Sequence, residues 1–468
     1  VPEWWIIVLG LMKLGAVFCP SPHMLTVKDI AYRMKVGNFK MVITDRENME
    51  KVDEVATECP MLQHKMITDD DPNEQLPSQW VGYQHELKYP APVSRKLIPT
   101  AGRKVLATDP MLIYFTSGTS ANPKMVLHDY AHPLGQTVTA KFWHDLTEKD
   151  VHFTVSDTGW AKCGWGKIYG QWICGACIFV YDYRNKFLAT ELLPLIEKYG
   201  ITSFCAPPTI YRMLIIADLK KFSFTELRTC TSAGEPLNPE VIRIWREGTG
   251  ITIREGYGQT ETCCCIATMP GMEIKQGSMG KPVPGWHIQL HDDDGKEVPQ
   301  GEIGRIAVSL EQRPAGLIRE YVDNPEENAK MFCNGWYYTG DKARMDEDGY
   351  FWFVGRNDDV IKSSGYRISP FEVESTLLEH PAVKESAVVG SPDDIRGMII
   401  KAFIVLHDGY QPSDILIKDI QNFVKRTTAP YKYPRAIEFV EELPKSFSGK
   451  IKRGELREKE LKKHTEEN

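Results

Sequence analysis

The sequence predicts an α/β protein: a large N-terminal domain built on parallel sheets with helices, then a small α+β C-terminal domain. Three observations lead there. A chain of 468 residues exceeds a single hydrophobic core, so two or more domains are expected. From the first residue to about Gly355, short apolar runs of strand length alternate with helical patterns, the mark of α/β units. Beyond Asp358 the composition shifts to brief strands and helices in a different rhythm.

The elements follow in order. The opening VPEWWIIVLGLMKLGAVF is shorter than the ~20 apolar residues of a membrane-spanning helix, and Lys13 interrupts it. It reads as a core helix followed by a strand. So apolar an element suits no free terminus, and the reading expects the N-terminal portion of the large domain to be missing from this sequence. KMVITD (Lys40 to Asp45), MLIYF (Met111 to Phe115), CIFVYD (Cys177 to Asp182) and ITSFCAPP (Ile201 to Pro208) read as strands. ATELLPLIEKYG reads as a helix closed by Gly200. WHIQLHDDDGKEVPQGEIGRIAV reads as strand, turn and strand, with Asp294-Gly295 as the turn, and implies a small antiparallel, β-barrel-like part. A boundary near Asp358 divides the chain into 1–357 and 358–468. The tail from Lys450 onward reads as a solvated helix.

Composition excludes some classes. With 42% hydrophobic and 25% charged residues and a net charge of −7, the chain is ordinary for a globular protein and poorly suited to nucleic acid or an anionic membrane surface. No integral membrane segment is expected. Eleven cysteines in a long chain point to reduced thiols. That fits a cytoplasmic protein, with the mitochondrial matrix as the alternative. Cys174 and Cys177 form a lone C-x-x-C, and zinc is not expected there. Cys263, Cys264 and Cys265 read as small buried thiols. The oligomeric state is not legible.

Six polar motifs carry the chemistry. FTSGTSANPK, from Phe115 to Lys124, combines hydroxyls, a glycine and a lysine, the makings of an anion cradle. It fails the Walker pattern, because Pro123 precedes Lys124 and Met125 follows it. TSAGEPLNP begins at Thr231, REGYGQTET at Arg254, YYTGDKA at Tyr337, GRNDDVIKSSGYRI at Gly355 and LPKSFSGKIKR at Leu443. Each alone is an unremarkable polar turn.

In this order they resemble the adenylate-forming superfamily: acyl-CoA synthetases, luciferases and peptide-synthetase adenylation domains. The ending TTAPYKYPRAIEFVEELPKSFSGKIKR is similar to medium-chain acyl-CoA synthetases. The resemblance implies an ATP-dependent acyl-CoA synthetase, with ATP, Mg²⁺ and CoA beside a small carboxylic acid. The acid attacks the α-phosphate, giving an acyl-adenylate and pyrophosphate, and the CoA thiol then displaces AMP. Both nucleophiles come from substrates, so no catalytic Ser or Cys is needed, and the protein orients groups and neutralises charge. An amino-acid or aryl-acid adenylating enzyme with another acceptor is the enzymatic rival. A truncated, non-catalytic nucleotide-binding form is the other.

By resemblance, Thr116, Ser117, Gly118, Thr119, Ser120, Ala121, Asn122, Pro123 and Lys124 wrap the β- and γ-phosphates; the family usually has glycine where Ala121 stands. Gly234, Glu235 and Pro236 pack on adenine. Glu255, Gly256, Tyr257, Gly258 and Gln259 belong to the same nucleotide site, with Tyr257 stacked on the base. Thr260 meets the α-phosphate or the acid, and Glu261 is the Mg²⁺ ligand. Asp341 and Arg356 hold the ribose, and Arg367 a phosphate. Lys450 reaches the α-phosphate and the attacking carboxylate, making Lys450, Thr260 and Glu261 the catalytic set. Asp358 is the hinge about which the small domain swings. Ser364, Gly365 and Tyr366 flank the pantetheine path, and Arg396, Lys425, Tyr433, Pro434 and Arg435 grip the CoA nucleotide. Trp160 and Trp165 fall in the acyl-pocket region.

Overall fold

The computed structural model describes residues 2–88, 104–116, 123–182, 188–235, 237–356, 359–363, 366–393, 397–428, 430–445 and 450–467. They form two compact units. The first comprises Val1–Pro133, Ser156–Gly164 and Ile318–Asp323; the second comprises Leu134–Val155, Trp165–Leu317 and Asn324–Asn468.

In the first unit, α1 (Pro2–Leu14) forms where the sequence predicts it. It is not a core helix, however: it buries only Val8 and leaves Ile6, Leu9 and Leu14 exposed. The strand expected after it contracts to one bridge, Phe18 with Leu112. Helix α2 (Val27–Gly37) opens on a capping box, in which the Thr26 hydroxyl accepts from the Asp29 N–H and the Asp29 carboxylate accepts from the Thr26 N–H. Strands β1 (Met41–Thr44), β2 (His64–Ile67) and β3 (Trp80–Gly82) run parallel. β4 (Pro110–Thr116) and β5 (Lys124–Asp129) form an antiparallel pair, with Thr116 opposite Lys124. Met111 to Phe115 are all buried, which is why that run is continuously apolar.

A seven-stranded sheet organises the second unit. Its strands are β6 (Val151–Thr154), β7 (Cys177–Ile178), β8 (Ser203–Cys205), β9 (Thr229–Ala233), β10 (Ile253–Gly258), β11 (Cys264–Ala267) and β12 (Lys281–Pro282), in the order β12-β11-β10-β9-β8-β6-β7. From β10 to β7 all neighbours are parallel; β11 and β12 add antiparallel strands at one edge. The strand expected over Cys177 to Asp182 pairs only through Ile178, because it lies at the open edge with one neighbour. Helices α3 (Leu192–Lys198), α4 (Pro208–Leu214) and α5 (Pro239–Thr249) supply core residues such as Leu193, Tyr211 and Trp245 against Phe204 and Ile253 of the sheet. Helix α3 ends at the predicted place, and Gly200 takes φ +57°.

Beyond the sheet, β13 (Ile288–His291), β14 (Ile303–Ser309), β15 (Phe332–Cys333), β16 (Trp336–Met345) and β17 (Phe351–Arg356) form the antiparallel part. Gly295 takes φ +82° in its turn. The C-terminal portion holds a hairpin of β18 (Ile361–Ser363) and β19 (Tyr366–Ile368) and a three-stranded sheet of β20 (Val383–Asp393), β21 (Gly397–Leu406) and β22 (Ala436–Phe439). Helices α6 (Pro370–Leu378) and α7 (Asp414–Thr427) pack on it through Val373, Leu377, Ile420 and Val424. Helix α8 (Arg453–Glu467) is the predicted tail helix, but it is not wholly solvated. Leu456 enters a core cluster with Phe403, and the buried Glu460 accepts from Lys401 at 2.7 Å and from Ser391 at 2.8 Å.

Candidate active site

Parallel strands β9 and β10 lie side by side, with Ile253 opposite Cys230 and Gly256 opposite Ala233. Their carboxyl ends therefore deliver TSAGE and EGYGQTE to one edge of the sheet, the edge where open α/β sheets bind ligands. The chain leaves β9 through Gly234 at φ +105°. It leaves β10 through a tight turn, in which the Gln259 N–H donates to the Thr262 hydroxyl at 2.9 Å and the Thr262 N–H to the Gln259 carbonyl at 3.2 Å. This turn holds Thr260 half-buried and Glu261 buried. It closes at Cys263, whose φ of +113° is rare for any residue with a Cβ.

Asp341 reaches the same place from β16. Its carboxylate accepts from the Tyr257 hydroxyl at 2.6 Å and from Gln259 Nε2 at 2.7 Å. Arg356 of β17 is its cross-strand partner. Burial raises the Asp341 carboxyl above the ordinary carboxylate range, against the pull of Arg356, the two donors and Lys450. Glu255 lies two residues before Tyr257 on β10. Its carboxylate accepts the N–H groups of Leu237 at 3.1 Å and Gly277 at 3.3 Å, and burial pushes its pKa up to about 7. Here Glu255 braces the backbone around the site.

Lys450 lies on the return arm of a hairpin closed by the Lys445–Ile451 bridge and by the Lys452 N–H bonding to the Pro444 carbonyl. Its side chain keeps access to solvent, yet the protein around it is dense enough that burial lowers the ammonium pKa. Glu235, Asp341 and Glu261 pull it back up, and Arg356 adds to the lowering. One cation thus lies within electrostatic reach of three carboxylates from β9, β10 and β16. Glu235 also pairs with Arg212 at 3.4 Å.

Three predicted CoA contacts come together. The Lys425 ammonium lies 4.1 Å from the centre of the Tyr433 ring, and Arg435 donates to the Tyr433 hydroxyl at 2.8 Å. The carbonyl of Pro434 accepts from Gln421. Tyr366 and Arg367 belong to β19. Ser117, Gly118, Thr119, Ser120, Ala121, Asn122, Pro236, Asp358, Ser364, Gly365 and Arg396 lie outside the described residues. The flanks of the phosphate loop are described within the first unit: Thr116 and Lys124 pair as strand ends, the Pro123 carbonyl accepts from Tyr32, and Lys124 lies 5.7 Å from the Tyr321 ring centre. Trp160 belongs to the first unit and Trp165 to the second.

Sequence reading missed Trp143. It sits at the end of a π-turn (Thr139–Trp143), its ring centre 6.0 Å from that of Trp165 on a second π-turn (Gly164–Ile168). A Cβ on Gly256 would fall 2.7 Å from the Trp143 ring, so only glycine lets β10 pass this closely. The signal was present in the bare Gly256 beside a tyrosine, but its partner lies over a hundred residues upstream.

The AMP-binding enzyme family matches residues 1–321, and the AMP-binding enzyme C-terminal domain matches residues 372–450. The chain belongs to the AMP-binding enzyme family. It is 48% identical over 464 residues to the mitochondrial acyl-coenzyme A synthetase ACSM3 of Mus musculus, an alignment covering 98% of this chain and 78% of that protein. The anthranilate CoA ligase AuaEII, solved with anthranoyl-AMP, superposes with a TM-score of 0.88 at 32% identity, covering 99% of this chain and 86% of the other. An acyl-CoA synthetase of Brucella canis superposes with a TM-score of 0.70 at 34% identity, covering 99% and 83%. The α/β architecture of a large domain and a smaller C-terminal one is that of these adenylate-forming enzymes.

Proposed function

We propose the following reading of the site. The chain is an ATP-dependent acyl-CoA synthetase that forms an acyl-adenylate and then passes the acyl group to CoA, releasing AMP and pyrophosphate. The observation that carries it is the cluster of buried polar groups at the carboxyl end of β10, where Asp341 of β16 accepts from Tyr257 and from Gln259 of the turn that holds the buried Glu261, with Lys450 within electrostatic reach.

The roles follow from the donor set. Asp341, already accepting two hydrogen bonds in the buried site, suits the ribose hydroxyls, with Arg356 beside it. Tyr257 offers its ring to adenine. Lys450 neutralises charge as the substrate carboxylate approaches the α-phosphate, a step in which a positioned cation lowers the barrier. Glu261, a buried hard-oxygen donor next to the Thr260 hydroxyl, fits Mg²⁺. Mg²⁺ would supply charge neutralisation on the phosphates. By the family resemblance, Thr116 to Lys124 hold the β- and γ-phosphates. Lys425, Tyr433 and Arg435 form a cationic and aromatic cluster suited to the CoA nucleotide. Trp165, against which the buried Trp143 packs, is assigned to the acid-binding region. The boundary between domains falls at 357/358, with Asp358 as hinge. The relatives carry mitochondrial names, which favours the matrix over the cytoplasm.

A second reading, an aryl acid as substrate, is favoured by the likeness to an anthranilate CoA ligase and by the paired tryptophans. One assay tests both. AMP release from ATP is measured with acids from acetate through octanoate to branched and aromatic ones, with and without CoA. CoA-dependent AMP peaking with one class is expected. ADP as product, or AMP release indifferent to every acid, would overturn the synthetase.

A further inference from the structure

A chain of rings joins the nucleotide strand to the segment that carries Lys450. The Tyr257 ring lies 6.2 Å from Phe353 of β17. Phe353 meets Phe371, in the first turn of α6, edge to face at 5.0 Å. The guanidinium of Arg453, the first residue of α8, lies 4.0 Å from the centre of the Phe371 ring. Arg453 is in turn fixed by the buried Glu374, at 2.6 and 3.1 Å. Glu374 also accepts the Val388 N–H at 2.7 Å. Arg453 lies three positions after Lys450 in the chain.

These contacts differ in kind. Arg453, Glu374 and Val388 all belong to the C-terminal portion and hold its parts to one another. Phe353 belongs to the antiparallel part before residue 358. The Phe353–Phe371 contact therefore ties the two portions together. It also lies directly between the adenine-facing strand and the Arg453 anchor of the Lys450 hairpin. Aromatic pairs prefer this edge-to-face geometry, and cation–ring contacts strengthen away from water.

We propose that Phe371 is a positioning residue for the first half-reaction. It touches no substrate. Its ring docks the C-terminal portion on Phe353 so that Lys450 stands beside Asp341 and Glu261 while the adenylate forms. On the synthetase reading, Lys450 serves the first step, so the thioester step is expected not to depend on this dock. The proposal rests on the synthetase reading above.

The test uses the full chain and two separately measured half-reactions. Phe371→Ala is expected to slow adenylate formation roughly two- to tenfold, the span of one lost ring pair. CoA thioester formation from supplied acyl-adenylate should hold its rate. Phe371→Tyr, which keeps the ring, should restore the first step. A readout independent of turnover is tryptic cleavage across Lys445–Arg453. ATP should slow it in the parent chain and in Phe371→Tyr, but several-fold less in Phe371→Ala. Equal slowing of both half-reactions, full adenylate formation by Phe371→Ala, or unchanged protection by ATP would each overturn the dock. If the parent chain activates no acid while its protection still depends on Phe371, the dock stands and the synthetase reading falls.

Discussion

Lys450 shows how one residue's meaning depends on its surroundings. In sequence it is a lysine after a Ser-Gly turn near a charged tail. In the structure it lies within electrostatic reach of three carboxylates and of Arg356. Lys450→Ala should reduce adenylate formation by a hundredfold or more, on the order of other removals of transition-state charge stabilisation, while sparing thioester formation from supplied adenylate. Comparable loss in both steps would argue for a structural role. Cys263 carries a different message. Its φ of +113° stores ~1–3 kcal/mol of backbone strain two residues after Glu261. Cys263→Gly should stay within about 1 kcal/mol of the parent, because relief of strain offsets the lost thiol packing. Cys263→Val should lose more than about 2 kcal/mol, since a β-branched residue fits that φ worst. Urea denaturation ranks the two, and a stable Val variant would dismiss the strain.

At the scale of elements, the close packing of the second unit sets limits that no local pattern announces. A Cβ on Gly170 would sit 2.1 Å from the backbone oxygen of Gln136. Gly170→Ala should thus cost about 1–3 kcal/mol through overpacking, despite alanine's better helix propensity, and thermal denaturation would register it. An unchanged midpoint would mean that the backbones at Gly170 and Gln136 move apart freely. Local signals did announce much else. Gly200 gave a helix stop and Asp294-Gly295 a turn. The alternation of strands and helices gave the parallel sheet, and EGYGQTE gave the turn that ends β10. Long-range choices were not legible. Tyr257 finds Asp341 and Phe353 finds Phe371 only after the chain has folded, and Trp143 sits on a π-turn that no periodicity marks. Edge position shortened the strand after Cys177, and burial of Leu456 and Glu460 turned a tail read as solvated into a docked helix.

For the molecule as a whole, two buried groups tilt stability with pH in opposite directions. Burial pushes Glu255 up to about 7 from an ordinary 4.5. The folded state therefore keeps a proton that the unfolded state releases, and this contribution, present below pH 4.5, is lost as pH rises through about 7. Burial pushes His152 down to about 4 from 6.5. Its contribution, present above pH 6.5, is lost as pH falls through about 4. Each is worth on the order of 3 kcal/mol. Relative to the parent, Glu255→Gln should make stability climb more steeply between pH 4.5 and 6.5. His152→Gln should make it climb less. Denaturant midpoints at several pH values read both slopes, and parallel curves would show that neither group titrates as its burial implies.

The eleven cysteines remain as thiols, and their placement has a practical consequence. Cys205, Cys230, Cys264 and Cys265 lie buried in neighbouring strands of the central sheet, whereas Cys177 is exposed on its edge strand. In the native protein an alkylating reagent meets Cys177 at once and meets the others only when strands part. The order in which the remaining thiols acquire label would trace how the sheet comes open, from the β7 edge inward or from the active-site strands outward. The protein thus carries its own strand-by-strand set of reporters of unfolding, with no residue introduced.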